Sequence, residues 1–373
     1  MRAYSSVSEF LHDRRNNKEY ISPDVINIYM EFSIVIPAYN GEQYLKLTIE
    51  SSLNQRRKAD EIIVVDDGST DRTAEIAKSS VWSGQIKYFY NGQSTGFVDA
   101  WNRGIRKANG EFVAILHQDD LIHPEYLYRV EKALQRYSEV KHLYTGCNYV
   151  DEKGDLILTA PGPHSLEPIL YSGKHYGKNY LNGVINNRHI HRCPGVMTSR
   201  DLLLNECTYR KEAGHIADDD FFYRVGLFTD VVGISHPLAS YRIHSRSTTS
   251  QLDLLTLKLA EDYLFQTLYY RDNKSPFENQ DIENLNKHTA KFINLLLFQS
   301  ILYKQKDWAG KAFQLRHKID DILPGFMERN IPLWAKLLWK IGSFEEKSFA
   351  KLYVGCLNKL IAGRDLPWQT TKV

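Results

Sequence analysis

The chain has 373 residues, 43% of them hydrophobic, which suffices for one large core or two modest ones. Lys and Arg total 47 against 45 Asp and Glu, a formal net charge of +2, so no overall basic field argues for a nucleic-acid partner. The four cysteines (Cys147, Cys193, Cys207, Cys356) are scattered without CxxC spacing and read as reduced thiols of a cytoplasmic protein, not as a disulfide frame or zinc site.

Residues 1–30 are polar and charged, with one short helix over 7–15, and lack the apolar stretch of a signal peptide. No segment approaches the roughly 20 apolar residues of a membrane span. From Phe32 to about Thr249 strands and helices alternate, which predicts an α/β fold with a parallel or mixed sheet and helices on both faces. The strands are expected at Phe32–Ile36, Glu61–Val65, Ile86–Tyr90, Glu111–Leu116 and His142–Val150. Helices are expected between them at Glu42–Leu53, Arg72–Lys78, Val98–Ala108 and Pro124–Tyr137, the last with proline in its first turn. Glu152-Lys153-Gly154-Asp155 reads as the turn of a hairpin. After Gln251 the spacing becomes helical (Leu252, Leu255, Leu259, Tyr263), and again over Ile282–Tyr303. Three divisions are therefore expected: a leader over 1–30, a main domain over 31–250 and a helical region over 251–373.

Two strands end abruptly in paired acids: Ile62-Ile63-Val64-Val65-Asp66-Asp67-Gly68-Ser69, and Phe112 to Leu116 followed by His117-Gln118-Asp119-Asp120. Continuous apolar runs suit strands buried on both faces. Ligands of open α/β sheets lie beyond the carboxyl ends of such strands, and paired carboxylates there suit a metal and the diphosphate it neutralises. A nucleotide-dependent transferase follows as the expectation. The first strand stops at Pro37-Ala38-Tyr39-Asn40. Tyr39 can cover the rim of the sheet or pack on a nucleobase, and Asp67 can close a local turn or accept a base N–H. Further on, Ala217-Asp218-Asp219-Asp220 opens a helix whose Phe221, Phe222, Val225 and Phe228 form one stripe at about 100° per residue. That register puts Asp218 on the stripe's side and turns Asp219 and Asp220 away, which makes Asp218 the candidate general base, with helix capping as the alternative.

Pro37-Ala38-Tyr39-Asn40, Val65-Asp66-Asp67-Gly68-Ser69, Asn102-Arg103-Gly104, Gln118-Asp119-Asp120, Ala217-Asp218 through Arg224, and Tyr241-Arg242-Ile243-His244 occur in an order and spacing that resembles the inverting glycosyltransferase family 2, with the GT-A (nucleotide-diphospho-sugar transferase) fold. The match runs from about Phe32 to Thr249. This resemblance implies a nucleotide-sugar donor, commonly a UDP-sugar, Mg2+ or Mn2+ as cofactor, and transfer with inversion to a glycan or lipid-linked acceptor. It places Pro37, Ala38, Tyr39, Asp67, Asn102 and Asp119 on the donor, Asp120 on the metal and Asp218 as base. His244 could add a metal or diphosphate contact, or be structural.

The chain departs from the family pattern at three positions. Trp101 stands where an arginine is common, His117 where another aspartate is frequent, and Ala217 in place of the usual acid before the base. The stretch Asn186-Asn187-Arg188-His189-Ile190-His191-Arg192 suits a loop closing over diphosphate or acceptor better than a zinc site, with an ordinary solvated connection as the alternative. Trp334, Trp339, Lys336 and Lys340 lie on a C-terminal stripe that fits packing on the protein better than a peripheral membrane contact. Two rivals share parts of the pattern. A sugar-nucleotide-forming nucleotidyltransferase would want a Gly-rich phosphate loop after the first strand, which Pro37-Ala38-Tyr39-Asn40-Gly41 is not. A non-catalytic sugar-nucleotide-binding module would lack Asp120 or Asp218.

Overall fold

A computed structural model describes residues 29–302, apart from 83, 161–164, 166, 187–188, 248–251 and 273–276. The leader helix, and the Trp and Lys stripe beyond Ile331, lie outside the described residues.

The strands β1 (Phe32–Ala38), β2 (Glu61–Asp66), β3 (Lys87–Tyr90) and β4 (Phe112–Ile115) alternate with helices α1 (Leu45–Leu53), α2 (Thr73–Ala77) and α3 (Phe97–Lys107). They pair in parallel in the order β3-β2-β1-β4, as βαβ crossovers require. Next in chain order come β5 (Leu121–Ile122), α4 (Tyr126–Arg136), β6 (His142–Val150), β7 (Leu156–Thr159), β8 (Ile169–Tyr171), α5 (Gly173–Ile185), β9 (Val196–Ser199), α6 (Ala217–Val225) and β10 (Val231–Arg242). The sheet continues β4-β9-β6-β10-β5, with β9 antiparallel to both neighbours and β10 parallel to β6 along its length. β7 folds back on β6 as the expected hairpin. Two C-terminal helices, α7 (Leu252–Asp272) and α8 (Asn279–Leu302), complete the described chain. No described helix is long and apolar enough to cross a membrane.

All of β1 and β2 is buried, which explains why their apolar runs do not alternate. Ile34 and Ile36 join Leu45, Ile49, Tyr126 and Leu127 on one face, while Val35 joins Val98, Trp101 and Ile105 on the other. Each such aliphatic side chain stabilises the fold by about 1.5–3 kcal/mol. Helix α3 lies so close to the sheet that a Cβ on Gly104 would fall 2.2 Å from Val35 Cγ1. This packing aligns the carboxyl ends of β1, β2 and β4, so the loops after them share one edge.

The predicted first helix, from Glu42, begins at Leu45 instead, because Gly41–Tyr44 form a turn closed by Tyr44 and Leu45 N–H on Gly41 O.

Candidate active site

At the end of β2, Asp66 and Asp67 do different things. Asp66 accepts Ser69 N–H at 2.8 Å and the Tyr88 hydroxyl at 2.7 Å, closing the turn after the strand. Asp67 is buried and receives Asn91 Nδ2 (3.0 Å), Ser94 Oγ (2.9 Å), Thr95 N (2.8 Å) and Oγ1 (3.0 Å), Gly96 N (2.9 Å) and an Arg103 N–H (3.2 Å). Burial alone would raise the Asp67 pKa, but these donors outweigh it and hold the carboxyl below its ordinary value. Its carboxylate thereby ties the 91–96 loop and Arg103 of α3 to the end of β2.

Tyr39 is half exposed at the end of β1. The Gln118 side-chain amide grips its backbone twice, accepting Tyr39 N–H at 2.8 Å and donating to Tyr39 O at 3.0 Å. A side chain thereby replaces the ladder that ends near Pro37 and ties the β1 loop to the β4 loop. Pro37 and Ala38 are buried in the last turn of the strand. Asn102 donates Nδ2 to Tyr209 O at 2.8 Å, and its helix neighbour Arg103 reaches Asp67 instead.

The β4 loop carries Asp119 and Asp120. Arg242, at the end of β10, orients both: its N–H donates to Asp120 Oδ1 at 2.9 Å and its Nε to Asp119 O at 2.9 Å. Asp119 Oδ2 pairs with His244 Nε2 at 2.9 Å, and against burial this contact and the nearby His117 hold its pKa down. Asp120 lies at 1% exposure, and burial together with the Asp119 charge pushes its carboxyl well up. Its Oδ2 has no hydrogen-bond partner, nor has His244 Nδ1. Among the described residues no group of three or more His, Cys, Asp or Glu stands ready for a metal. An orphaned carboxylate oxygen still fits Mg2+ or Mn2+, which take one or two carboxylates and complete their shell with phosphate and water.

The Asp218 region corrects the helical-register expectation. Asp219 and Asp220 do not turn away: both are buried, Asp220 completely. Tyr180 donates to Asp219 at 2.8 Å. Asp220 receives Arg210 Nε at 2.9 Å, Arg224 Nε at 3.0 Å and the Tyr270 hydroxyl at 3.2 Å. The stripe rule assumes one buried face, whereas α6 is enclosed on all sides, so its acids go inward with partners. Asp218 is the half-buried acid of the three, and among the described residues its carboxylate accepts only Asp219 N–H, at 2.9 Å. Burial raises its pKa, while the Asp219 N–H, His117 and Arg192 pull the other way. Burial and the Asp218 charge push Asp219 up to about 7.

Three residues of this centre were not singled out as site residues from the sequence. Arg192 donates Nε to the Tyr149 hydroxyl at 2.5 Å and lies 5.5 and 5.6 Å from the Tyr149 and Tyr241 rings. Its charge is felt by Asp120, Asp218 and Asp219. His117 is within electrostatic reach of Asp119 and Asp218, and burial keeps it neutral at neutral pH. Arg242 is the third. Only the basic character of 186–192 and the Tyr241–His244 motif hinted at the two arginines; Asn187 and Arg188 lie outside the described residues.

Residues 33–192 match the model described as glycosyl transferase family 2. The chain carries a family 2 glycosyltransferase domain. It is 25% identical over 280 residues to an uncharacterised glycosyltransferase of Haemophilus influenzae, covering 73% of this chain and 84% of that one. It is 29% identical over 268 residues to EpsH of Bacillus subtilis, itself provisionally named a glycosyltransferase, covering 70% and 74%. Among solved structures, the mannosyltransferase PcManGT of Pyrobaculum calidifontis, determined with GDP-Man and Mn2+, superposes with a TM-score of 0.50 at 14% identity, covering 95% of this chain and 94% of that one. The likeness establishes the GT-A fold.

Proposed function

We propose that this glycosyltransferase moves a sugar from a UDP-sugar to a hydroxyl of a glycan or lipid-linked acceptor, with inversion at the anomeric carbon, on the cytoplasmic side of a cell that builds polysaccharide or glycoconjugate. The observation that carries this reading is the presence of one buried carboxylate oxygen without a hydrogen-bond partner, on Asp120, together with a second carboxylate, Asp218, that no side chain hydrogen-bonds among the described residues. The first suits a cation and diphosphate, and the second suits a base.

In this reading Tyr39 and the loop held by Asp67 receive the nucleotide, Asn102 and Asp119 face the ribose and sugar, and Asp120 with His244 would hold Mg2+ or Mn2+. That ion, of the kind present with GDP-Man in the mannosyltransferase of like fold, would supply charge stabilisation to the departing diphosphate. Arg192, fixed by Tyr149 and Tyr241, adds a guanidinium matched to phosphate oxygens. Asp218 takes the proton from the acceptor hydroxyl as its oxygen bonds to the anomeric carbon and the sugar–phosphate bond breaks. One separated base suits single displacement, hence inversion. Residues 31–250 form the transferase domain in this proposal, with the helical region from 251 onward.

A thermal-shift series tests the donor. UDP with Mn2+ should raise the melting temperature more than GDP or ADP, since ligand binding stabilises by mass action. Equal or larger shifts with GDP overturn the UDP assignment, and product of retained configuration overturns single displacement.

A further inference from the structure

Helix α7 reaches back from the C-terminal helical region to the element that carries Asp218. Asp262 on α7 is buried at 2% exposure. Its Oδ2 accepts His215 N–H at 2.9 Å and lies 3.0 Å from His215 Nδ1. The preceding residue, Gly214, has φ 57° and ψ −128°, a conformation that glycine alone adopts without strain. The Asp262 carboxylate fills the space where a side chain would begin: a Cβ at Gly214 would fall 2.3 Å from Oδ1 and 2.5 Å from Oδ2. The same helix holds the base-bearing segment from other directions. Arg210 lies 3.5 Å from the Tyr269 ring, and the Tyr270 hydroxyl reaches Asp220.

Among the described residues no side chain clamps Asp218. Its carboxylate there meets only the N–H of Asp219, and Ala217 before it contributes no polar group. Its aim is therefore set by the backbone, and the backbone turns at Gly214 just before α6. We propose that Asp262 is a positioning residue for the glycosyl-transfer base, so that α7 is a working part of the active site. This rests on the reading of Asp218 as base. Misplacing a catalytic group by about 1 Å can cost on the order of a hundredfold in rate.

The test uses the full chain with water as acceptor, following nucleotide release from whichever of UDP-glucose, UDP-N-acetylglucosamine or GDP-mannose the unmutated protein cleaves fastest. Asp262→Ala should lower kcat about tenfold to a hundredfold with donor KM and nucleoside-diphosphate affinity within about twofold. Asp262→Asn, which keeps an acceptor for His215 N–H, should recover most of the rate. Gly214→Ala should match Asp262→Ala, and the double variant should be no worse than either, since both break one contact. Amide exchange at residues 215–219 should speed up by about tenfold in Asp262→Ala while β1 and β2 stay protected, a readout independent of activity. A parallel loss of melting temperature, nucleotide affinity and rate, or an Asp262→Ala protein with full rate and unchanged exchange, would overturn the proposal. An active Asp218→Asn protein defeats the base assignment instead, and the two failures are separately visible.

Discussion

Asp218 and Asp220 stand two residues apart on one helix, and replacing each by asparagine should produce opposite phenotypes. Asp220 is fully buried between Arg210 and Arg224 and also receives the Tyr270 hydroxyl. Neutralising it leaves two guanidinium groups without their counter-charge. Breaking one side of such a buried pair costs about 3–5 kcal/mol, which at roughly 2 °C per kcal/mol lowers the melting temperature on the order of 6–10 °C. Among the described residues Asp218 has no cationic partner in contact, and burial raises its pKa, so its charge is a cost to the fold near neutrality. Asp218→Asn removes that cost and should melt at or slightly above the unmutated protein. Transfer in that variant should fall by about a hundredfold to ten-thousandfold, the usual worth of a positioned base. Differential scanning fluorimetry and nucleotide release from the donor measure the two quantities on the same samples. An Asp218→Asn protein that melts as low as Asp220→Asn would make Asp218 structural. An Asp220→Asn protein as stable as the parent would refute the ion-pair reasoning.

Asp120→Ala should keep the fold but lose divalent-dependent binding of UDP, and calorimetry that finds equal UDP affinity with and without chelator in the unmutated protein would sink the metal assignment. Gly104→Ala, whose Cβ would meet Val35 Cγ1 at 2.2 Å, should destabilise by about 1–3 kcal/mol through overpacking; an unchanged urea midpoint would show that α3 shifts at no cost. Burial takes the His142 pKa down to about 3 and lowers that of His191 well below its ordinary value. The unfolded chain then binds the extra protons, so their contribution to stability is full above about pH 6.5 and is lost as pH falls toward those depressed values. Imidazole nitrogen spectra should show both rings neutral at pH 5.5, and a ring titrating near the ordinary value would contradict the packing.

What the sequence made legible was whatever depends on local pattern. The valine and isoleucine runs of β1, β2 and β4 announced strands buried on both faces, and the acids that end them announced the site edge. What it hid depends on contacts across the chain. Nothing near Asp67 reveals that six donors from residues 91–103 will converge on it, and nothing near Tyr39 reveals that Gln118 will hold its backbone. On α6 the register expectation is reversed for all three acids: Asp218, expected inward, is half-buried, and Asp219 and Asp220, expected outward, are buried. Nothing local reveals that Tyr180, Arg210 and Arg224 wait on the faces expected to meet solvent.

The two departures Trp101 and His117, separate in the sequence, meet in the fold. Their rings stack with centroids 5.2 Å apart and planes inclined by 19°. Where family members commonly carry an arginine and an aspartate, this chain carries an aromatic pair, and because burial keeps His117 neutral at neutral pH the exchange removes one positive and one negative charge together. The net charge beside Asp119, Asp120 and Asp218 is thereby unchanged, but position 101 of α3 offers a diphosphate no cation. The charge of Arg192, held by Tyr149 and Tyr241, acts on Asp120 and Asp218, and on the proposed reading it takes over that contact. Arg192→Lys keeps the charge but loses the planar fork that both tyrosines grip. It should weaken UDP binding by about 1–3 kcal/mol, the range for a charge-assisted hydrogen bond left unmade, with little change in melting temperature. Trp101→Arg in that background should restore part of the affinity if the two positions serve one diphosphate. Affinity unmoved by Arg192→Lys would leave the diphosphate to Asp120 and its cation alone, and the aromatic pair would then be packing.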